Sequence, residues 1–279
     1  MNTGDHSHLI HIDSLDDPRL AAYRNLRDRT LRGERMFVAE GQLLVSRLLE
    51  SRFAAESILL ADTQVREFLP YAPGDVPIYI AAERLLQAII GFHLHQGVLA
   101  AGCRRPEMTL EEVLGPSNDR PLGIVVCPRI TKPENMGLIF RAAAGLGAEG
   151  IVLGPECCDP FSRRCLRVSM GAVLTVPYRK ALDMAADLAA LRDRWGVEFL
   201  AAVLDEQALP LASVSWPRRA GVMLGNEFDG LDEGWLEFCA LRVTIPMARQ
   251  TDSLNLGVAA GIFVYEMMRG RGQEQAPAA

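Results

Sequence analysis

The polar side chains that could do chemistry are concentrated in the last third of the chain. Two short apolar runs, GVMLG and LRVTIP, are each followed by a loop. Apolar runs closed by turn residues are typical of strands buried in a parallel sheet, and ligands bind at the ends of such strands. We therefore expect a ligand-binding site formed by the polar residues of these loops: Asn226, Glu227, Arg249, Gln250, Asp252, Ser253 and Asn255.

Two arginine-rich segments elsewhere in the chain could contact phosphate. Residues 19–35 hold six arginines against two acidic residues, and residues 155–171 carry three more in what reads as a loop. A solvated helix face or loop explains both segments equally well, so both interpretations stay open. The candidates for phosphate contact are Arg24, Arg27, Arg163, Arg164 and Arg167.

Composition sets the limits for these sites. The 279 residues favour two medium domains, and the net charge of -6 argues against a protein covered in nucleic acid while allowing a local basic groove. The six cysteines show no CxxC pairing and no metal-ligand spacing, so we expect reduced thiols and no metal. His6, His8 and His11 should lie in a frayed tail. No signal peptide or membrane-spanning run is found, which predicts a cytoplasmic protein.

Strands and helices alternate in the first part of the chain. Predicted strands are MFVAEG, ESILLAD, VPIYIA and QGVLAAG, with helices at GQLLVSRLLESR, residues 63–69 and ERLLQAIIG. This pattern predicts a small α/β domain over residues 1–105. Residues 106–120 contain prolines, glycine and Ser-Asn-Asp, which predicts a linker before a second domain at 121–279.

The second domain begins with a predicted βαβ unit. The strand LGIVVCP precedes a helix from Pro133 to Leu146, with capping-box spacing at Thr131 and Glu134, and the strand GIVLGP follows. The glycines of GLGAEG spell GxGxxG, but they end a helix and enter a strand. We therefore interpret them as a helix C-cap and turn, and not as a dinucleotide site. A helix at 183–195, the strand VEFLAAVLD and a helix at 253–268 follow.

Three blocks of this domain resemble the signature motifs of the SpoU/TrmH (SPOUT) RNA 2'-O-ribose methyltransferases, in the family's order. They are NMGLIFRAAAGLGAEGIVL, MLGNEFDGL and IPMARQTDSLNLGVAAGIFVYE, and DPFSRRCLRVSMGAV resembles a further family stretch. The first hundred residues, with FVAEG and HQGVLA, resemble the family's ribosomal-protein-like domain. The resemblance implies an α/β fold: a C-terminal parallel-sheet domain with a deep trefoil knot, and a small N-terminal RNA-binding domain.

The resemblance also implies an S-adenosylmethionine site inside the knot. Apolar walls and close backbone approach suit an adenine and a sulfonium. The family pattern has glycine where this chain has Arg249 and an aliphatic residue near Thr251, so we expect the cofactor loop to differ in shape. The matching cofactor positions are Leu224, Gly225, Ile245, Met247 and Leu254.

The implied reaction is methylation of a ribose 2'-hydroxyl, which needs its proton removed. Arg141 matches the arginine proposed as base in this family, or it holds the adjacent phosphate and stabilises the alkoxide. The other polar motif positions are Asn135, Glu227, Ser253 and Asn255. Glu227 would orient Arg141 or Asn135, and Ser253 with Asn255 would cap the last helix and touch substrate or cofactor. Structural capping is the alternative for all four.

The implied partners are RNA, with ribosomal RNA favoured over transfer RNA, and a second copy of the chain. For the homodimer, small residues on the last helix would admit a partner helix, flanked by apolar side chains. A non-catalytic knotted RNA-binding protein and a small-molecule enzyme remain the alternatives. The small residues are Gly257, Ala260 and Gly261, and the apolar ones are Leu256, Phe263, Val264 and Met267.

Overall fold

The computed structural model describes residues 9–24, 26, 35–91, 97–249 and 251–273. Residues 271–273 are described by their backbone alone. The chain divides into two compact units. The first comprises residues 1–105 together with 161–174, and the second comprises residues 106–160 and 175–279. His6, His8, Arg27 and Gln250 lie outside the described residues.

The first unit is built on a five-stranded sheet with the order β1-β4-β3-β5-β2. Its strands are β1 (Leu9–Ile12), β2 (Met36–Glu40), β3 (Ala55–Ala61), β4 (Ile78–Ala81) and β5 (Val98–Cys103). Neighbours among β1, β4 and β3 are parallel, and β5 is antiparallel to both β3 and β2. The four predicted strands are confirmed. The fifth strand, β1, contains His11 and lies where a frayed tail was expected. Pairing with β4 orders this segment, and its four residues are too few to show a periodicity in the sequence.

Helices α1 (Gln42–Leu49) and α3 (Glu83–Ile90) confirm two predicted helices of this unit. The third, α2 (Val65–Phe68), is a single turn flanked by 3₁₀ turns, and Pro70 lies in the second of them. A 3₁₀ helix at Pro18–Tyr23 brings the buried Tyr23 under the sheet, where its hydroxyl donates to the Ser57 carbonyl oxygen (2.8 Å).

Residues 155–171 were expected to form a loop, but they contain helix α6 (Arg163–Val168), which belongs to the first unit. The Ser162 hydroxyl oxygen caps this helix by accepting from the Cys165 N–H. Phe161 stacks on Phe37, with ring centroids 4.5 Å apart. The helix was missed because its six residues bury only Cys165 and Leu166, which leaves no readable period.

The second unit is built on a parallel seven-stranded sheet with the order β10-β12-β9-β11-β6-β7-β8. Strand β12 was expected to be buried, yet Leu241 is exposed because β12 lies one strand from the edge, beside a two-residue neighbour. The strands are β6 (Leu122–Cys127), β7 (Gly150–Leu153), β8 (Tyr178–Lys180), β9 (Glu198–Ala202), β10 (Leu209–Pro210), β11 (Arg219–Leu224) and β12 (Cys239–Thr244).

Five helices accompany this sheet in the described part of the chain. They are α4 (Leu110–Leu114), α5 (Pro133–Leu146), α7 (Met184–Trp195), α8 (Glu233–Leu236) and α9 (Leu256–Gln273). Helix α4 lies in the segment expected to be a linker. A capping box between Thr109 and Glu112 starts it, and three buried side chains anchor it. Helix α5 has the predicted bounds, and Gly147 ends it in the left-handed conformation (φ 83°), which confirms the predicted C-cap.

Helix α9 packs closely on α5 of the same chain. A Cβ atom added to Gly257 would lie 2.4 Å from the Leu138 Cβ, so the two helices can approach this closely only because residue 257 is glycine. Ala260, Phe263 and Val264 are fully or almost fully buried. Gly257 and Gly261 therefore face Leu138 and Ala142 of α5, and the homodimer stays a prediction. None of the described helices combines the length and the hydrophobicity that spanning a bilayer requires.

Candidate active site

A cavity of about 530 Å³ opens where β9, β11 and β12 end and α9 begins. Its volume is in the range of small-molecule sites, and its position at the carboxyl ends of parallel strands is where such sites form. All five residues predicted to hold a cofactor line this one cavity: Leu224, Gly225, Ile245, Met247 and Leu254.

Gly225 makes the turn beside this cavity possible. A Cβ atom at this position would lie 2.3 Å from the carbonyl carbon of Gly230 and 2.6 Å from the amide nitrogen of Leu231. Any side chain would therefore displace the loop that follows β11. Gly225 is required for the shape of the cavity wall as well as for close backbone approach.

The loop from Asn226 to Gly230 is a tight turn held at both ends. The Asn226 N–H donates to the Gly230 carbonyl (2.7 Å), and the Gly230 N–H donates back to the Asn226 carbonyl (3.1 Å). The Asn226 side-chain oxygen accepts from the Phe228 N–H (2.9 Å). These bonds fix the backbone on either side of Glu227.

Glu227 binds the amino-terminal end of α5 from across the sequence. Its carboxylate accepts from the Thr131 N–H (3.2 Å), the Thr131 hydroxyl (3.1 Å), the Lys132 N–H (3.0 Å) and the Asn135 side-chain amide (3.1 Å). The capping box predicted between Thr131 and Glu134 is therefore wrong. The N-cap residue is Lys132, without a side-chain cap, and a distant carboxylate supplies the acceptor.

The electrostatics of Glu227 favour its ionised form. Partial burial works to raise the pKa of this carboxyl, but the hydrogen bonds from Lys132, Asn135 and Thr131 outweigh it and hold the pKa below its usual value. A carboxylate near the amino-terminal end of a helix is also favoured by the helix dipole.

Asn135 connects Glu227 to the start of α9. It is almost fully buried; its amide donates to Glu227, and its oxygen accepts from the Asn255 side-chain amide (2.9 Å). The Asn255 oxygen in turn accepts from the N–H groups of Gly257 (2.9 Å) and Val258 (3.3 Å) and so caps α9. The predicted cap by Asn255 is confirmed. The predicted link from Glu227 to Asn135 is also confirmed. These contacts fix the orientations of both side-chain amides. The Asn135 NH₂ group must face the Glu227 carboxylate, so the Asn135 oxygen faces Asn255 and accepts from its NH₂ group.

Four of the five predicted catalytic residues line the cavity: Asn135, Glu227, Ser253 and Asn255. The fifth, Arg141, does not. It is exposed on α5, in a shallow surface groove formed with Leu138, Ala142, Gly257 and Val258, where α5 and α9 meet. The structure thus separates Arg141 from the other four within one chain.

Four of the predicted phosphate-binding arginines are among the described residues; they lie in the first unit and differ in their surroundings. Arg163 forms an ion pair with Glu40 (2.6 Å) and donates to the Leu26 carbonyl (2.9 Å). Arg24 donates to the Asp17 carbonyl (2.8 Å). Both guanidinium groups therefore hold backbone in place, whereas Arg164 and Arg167 are exposed on α6.

Two rim residues of the cavity were not singled out from the sequence, Lys132 and Phe228. Phe228 is 75% exposed, and the Lys132 ammonium lies 4.4 Å from the centroid of its ring. The signal available was an apolar aromatic directly after Glu227, in the middle of the polar motif MLGNEFDGL.

No cysteine is among the residues that line this cavity. All six are free thiols, and burial raises the pKa of Cys157 to about 11 and that of Cys127 well above its usual value. Thiols with such pKa values are poor nucleophiles at neutral pH. Within the described ranges, no group of His, Cys, Asp or Glu residues is placed to hold a metal ion.

The fold is that of an α/β protein with a cavity where its parallel strands end, and comparison with known proteins gives its family. Residues 123–265 match the SpoU rRNA methylase family, to which the chain belongs. It is 38% identical to an uncharacterized tRNA/rRNA methyltransferase of Mycobacterium tuberculosis, over 91% of this chain and 90% of the relative.

Two further relatives carry more specific descriptions. The chain is 28% identical to the 23S rRNA (guanosine-2'-O-)-methyltransferase RlmB of Acinetobacter baylyi, over 75% of this chain and 86% of the relative. The crystal structure of an AdoMet-bound rRNA methyltransferase from Sinorhizobium meliloti superposes with a TM-score of 0.80 at 26% identity. That match covers 94% of this chain and 98% of the other.

Proposed function

We propose that this protein is an S-adenosylmethionine-dependent RNA methyltransferase that transfers a methyl group to a ribose 2'-hydroxyl of ribosomal RNA. The observation that carries the proposal is the single cavity that gathers nine of the ten residues expected in the cofactor and catalytic sites. The relatives described as an rRNA 2'-O-methyltransferase and an AdoMet-bound rRNA methyltransferase support it.

The residues around the cavity fit this cofactor. Leu224, Ile245 and Leu254 provide apolar walls for an adenine, and Gly225 brings backbone donors and acceptors to its edge. When bound, the cofactor supplies an electrophilic methyl group on a sulfonium. The protein's task is to hold the ribose hydroxyl in line with that methyl group and to assist loss of its proton.

In this proposal, Glu227, Asn135 and Asn255 act as positioning residues. Their hydrogen bonds join the 226–230 loop, the start of α5 and the start of α9, which are three of the elements around the cavity. Ser253 lies on the cavity wall and is exposed, so its hydroxyl is available to substrate or cofactor.

We assign Arg141 to the cavity of a second copy in a homodimer. The surface that carries Arg141 also presents Val258 (50% exposed), and the same helix exposes Ile262 and Tyr265. Apolar side chains on one helix face suit an isologous contact, in which each copy offers the same surface. A guanidinium stays protonated, so its role would be to hold a phosphate and stabilise the developing alkoxide.

Three finer features belong to the same proposal. The segment from Ile245 into α9 is threaded as a trefoil knot, as its resemblance to the family motifs implies. The first unit binds RNA, with Arg164 and Arg167 as the exposed candidates for phosphate contact. The enzyme acts in the cytoplasm, where ribosomal RNA is found.

Transfer RNA is the second candidate substrate, because the name of the Mycobacterium tuberculosis relative covers both RNA classes. Mapping of 2'-O-methyl positions in RNA from a strain lacking this protein separates the two. We expect one ribosomal position to lose its methyl group and to regain it with the wild-type gene, but not with Leu254→Asp. Loss of a 2'-O-methyl group in transfer RNA alone would identify transfer RNA as the substrate. An unchanged pattern of 2'-O-methyl groups would contradict the proposed function.

A further inference from the structure

Phe228 is an exposed aromatic side chain at the rim of the cavity. Single exposed apolar residues are common on protein surfaces. Here, however, Phe228 (75% exposed) and Leu204 (70% exposed) both line the same cavity. Two large apolar side chains at one cavity mouth indicate a surface that a ligand covers.

The backbone beneath Phe228 is well fixed. Its N–H is bound by the Asn226 side chain, the loop is closed by the paired Asn226 and Gly230, and Glu227 is anchored to α5. A phenylalanine with two side-chain torsions on such a turn loses little conformational entropy when a ligand packs against it.

Lys132 adds a cation to this aromatic. Its ammonium lies 4.4 Å from the Phe228 ring centroid, and its backbone N–H is held by Glu227. It is one of only two lysines in the chain, the other being Lys180. A flat aromatic face next to a cation is the combination that binds an unpaired nucleotide, because bases stack on rings and phosphates pair with cations.

We propose that Phe228 and Lys132 form a stacking platform for the nucleobase of the nucleotide whose ribose is methylated. This inference rests on the proposed function and names the element that holds the target base. The platform lies directly beside Glu227 at the cavity where the methyl group would be delivered, so a base stacked there places its own ribose at the cavity mouth. The target nucleotide must then be unpaired or turned out of its helix.

Substitutions at Phe228 test the platform, with ribosomal RNA from a strain lacking this protein as the probe. We expect Phe228→Ala and Phe228→Leu to lower kcat/KM for this RNA about tenfold, since stacking of one base is worth about 1–3 kcal/mol. Phe228→Tyr and Phe228→Trp should stay within about threefold of wild type, and S-adenosylmethionine affinity should be unchanged in all four. The control is Leu182→Ala, at a side chain 91% exposed and outside the cavity lining.

Several outcomes would overturn the platform. Full activity of Phe228→Leu would show that the site needs only an apolar side chain at this position and not an aromatic ring. Weaker cofactor binding in Phe228→Ala would show that the ring contacts the cofactor and not a base. If wild type methylates neither ribosomal nor transfer RNA, the proposed function itself fails, which is a different result from equal activity of all variants.

A cycle with a modified substrate identifies the stacked base. Once the methylated position is mapped, a synthetic RNA lacking the base at that nucleotide is compared with the intact RNA. Removal of the base should slow wild type about tenfold and should slow Phe228→Ala little further. Independent, multiplicative losses would show that Phe228 contacts some other part of the RNA.

Discussion

Glu227 is better suited to building the site than to proton transfer. Four donors from Thr131, Lys132 and Asn135 fill its carboxylate, and its pKa is lowered. A carboxylate in this state accepts a further proton weakly. The base for the ribose hydroxyl must therefore be sought elsewhere, and a water molecule is the group to test, since a guanidinium such as that of Arg141 stays protonated.

The first prediction concerns the stability of Glu227→Gln against pH. The lowered pKa means that the ionised carboxylate stabilises the fold above its ordinary pKa of 4.5, and that this contribution is lost as pH falls through the lower folded-state value. Denaturant unfolding should show a deficit for Glu227→Gln at pH 7 that shrinks below pH 4.5. A deficit independent of pH, or one shared by the exposed control Glu198→Gln, would contradict this account.

The second prediction concerns Asn135→Ala. The change leaves Glu227 and Asn255 each without one hydrogen-bond partner, so we expect a loss of about 1–3 kcal/mol in unfolding free energy. Ser253→Ala, at an exposed position on the same cavity, should lie within about 0.5 kcal/mol of wild type. Urea titrations of both variants make the comparison, and equal stability of the two would refute the network.

The third prediction concerns Arg249, where the family pattern has glycine. Arg249 has φ 55°, the left-handed conformation that disfavours a residue with a Cβ atom. Arg249→Gly should raise the unfolding free energy by up to about 1 kcal/mol, because relief of this strain exceeds the entropy cost of glycine. Arg249→Ala keeps the Cβ and should show no gain in a thermal melt. An equal gain in both variants would assign the effect to the lost charge.

At the scale of elements, local signals determined what the sequence predicted well. Helix α5 has the predicted bounds because Pro133 and Gly147 mark its two ends within the chain itself. Helices α4 and α6 and strand β1 were missed because each has four to six residues and is stabilised by tertiary packing. The capping box predicted at Thr131 was also wrong because of a tertiary contact. The N–H groups at the start of α5 donate to Glu227, which lies 96 residues after Thr131 in the sequence.

The motifs predicted which residues line the cavity, but they did not predict how the helices around it are arranged. The strip of small residues on α9 correctly indicated a close helix contact, but the partner is α5, as the contact of Gly257 with Leu138 shows. The spacing of small residues along a helix predicts that another helix can approach closely, but it does not identify that helix. Likewise, no local pattern shows that Arg141 faces away from the cavity that the neighbouring Asn135 lines.

The fourth prediction separates the three arginines of α6. Arg163→Ala breaks a largely buried ion pair with Glu40 and should cost about 1–3 kcal/mol in unfolding free energy. Arg167→Ala should leave stability within about 0.5 kcal/mol, and Arg164→Ala and Arg167→Ala should each lower the salt slope of RNA binding by about one. Unfolding curves and filter binding at several salt concentrations measure both effects. Unchanged slopes would remove α6 from the RNA surface.

At the scale of the whole molecule, the chain path limits which experiments can be interpreted. Residues 161–174 belong to the first unit, and Phe161 packs against Phe37 and Phe53 there. Deleting residues 1–105 would remove Phe37 and Phe53 and leave Phe161 in the remaining protein without these two ring contacts. Point variants on the full chain are therefore the sound test of how the first unit contributes to RNA binding.

The fifth prediction is a homodimer with shared sites. Sedimentation should give a mass near twice 30.6 kDa, and Tyr265→Asp, at an exposed position of α9, should shift it toward the monomer. Mixing Arg141→Ala with Leu254→Asp should restore part of the activity, because one site of the mixed dimer has both an intact cavity and an intact arginine. A monomer at micromolar concentration would reject the dimer, and a dimer without restored activity would reject the shared site alone.

Nucleoside analysis after methyl transfer in vitro tests the proposed ribose methylation directly. The purified protein is incubated with methyl-labelled S-adenosylmethionine and ribosomal RNA from a strain lacking it, and the RNA is digested to nucleosides and analysed by mass spectrometry. We expect one labelled nucleoside with the methyl group on its ribose, and none with Leu254→Asp. A label on a nucleobase, or none on ribosomal or transfer RNA, would contradict the proposal.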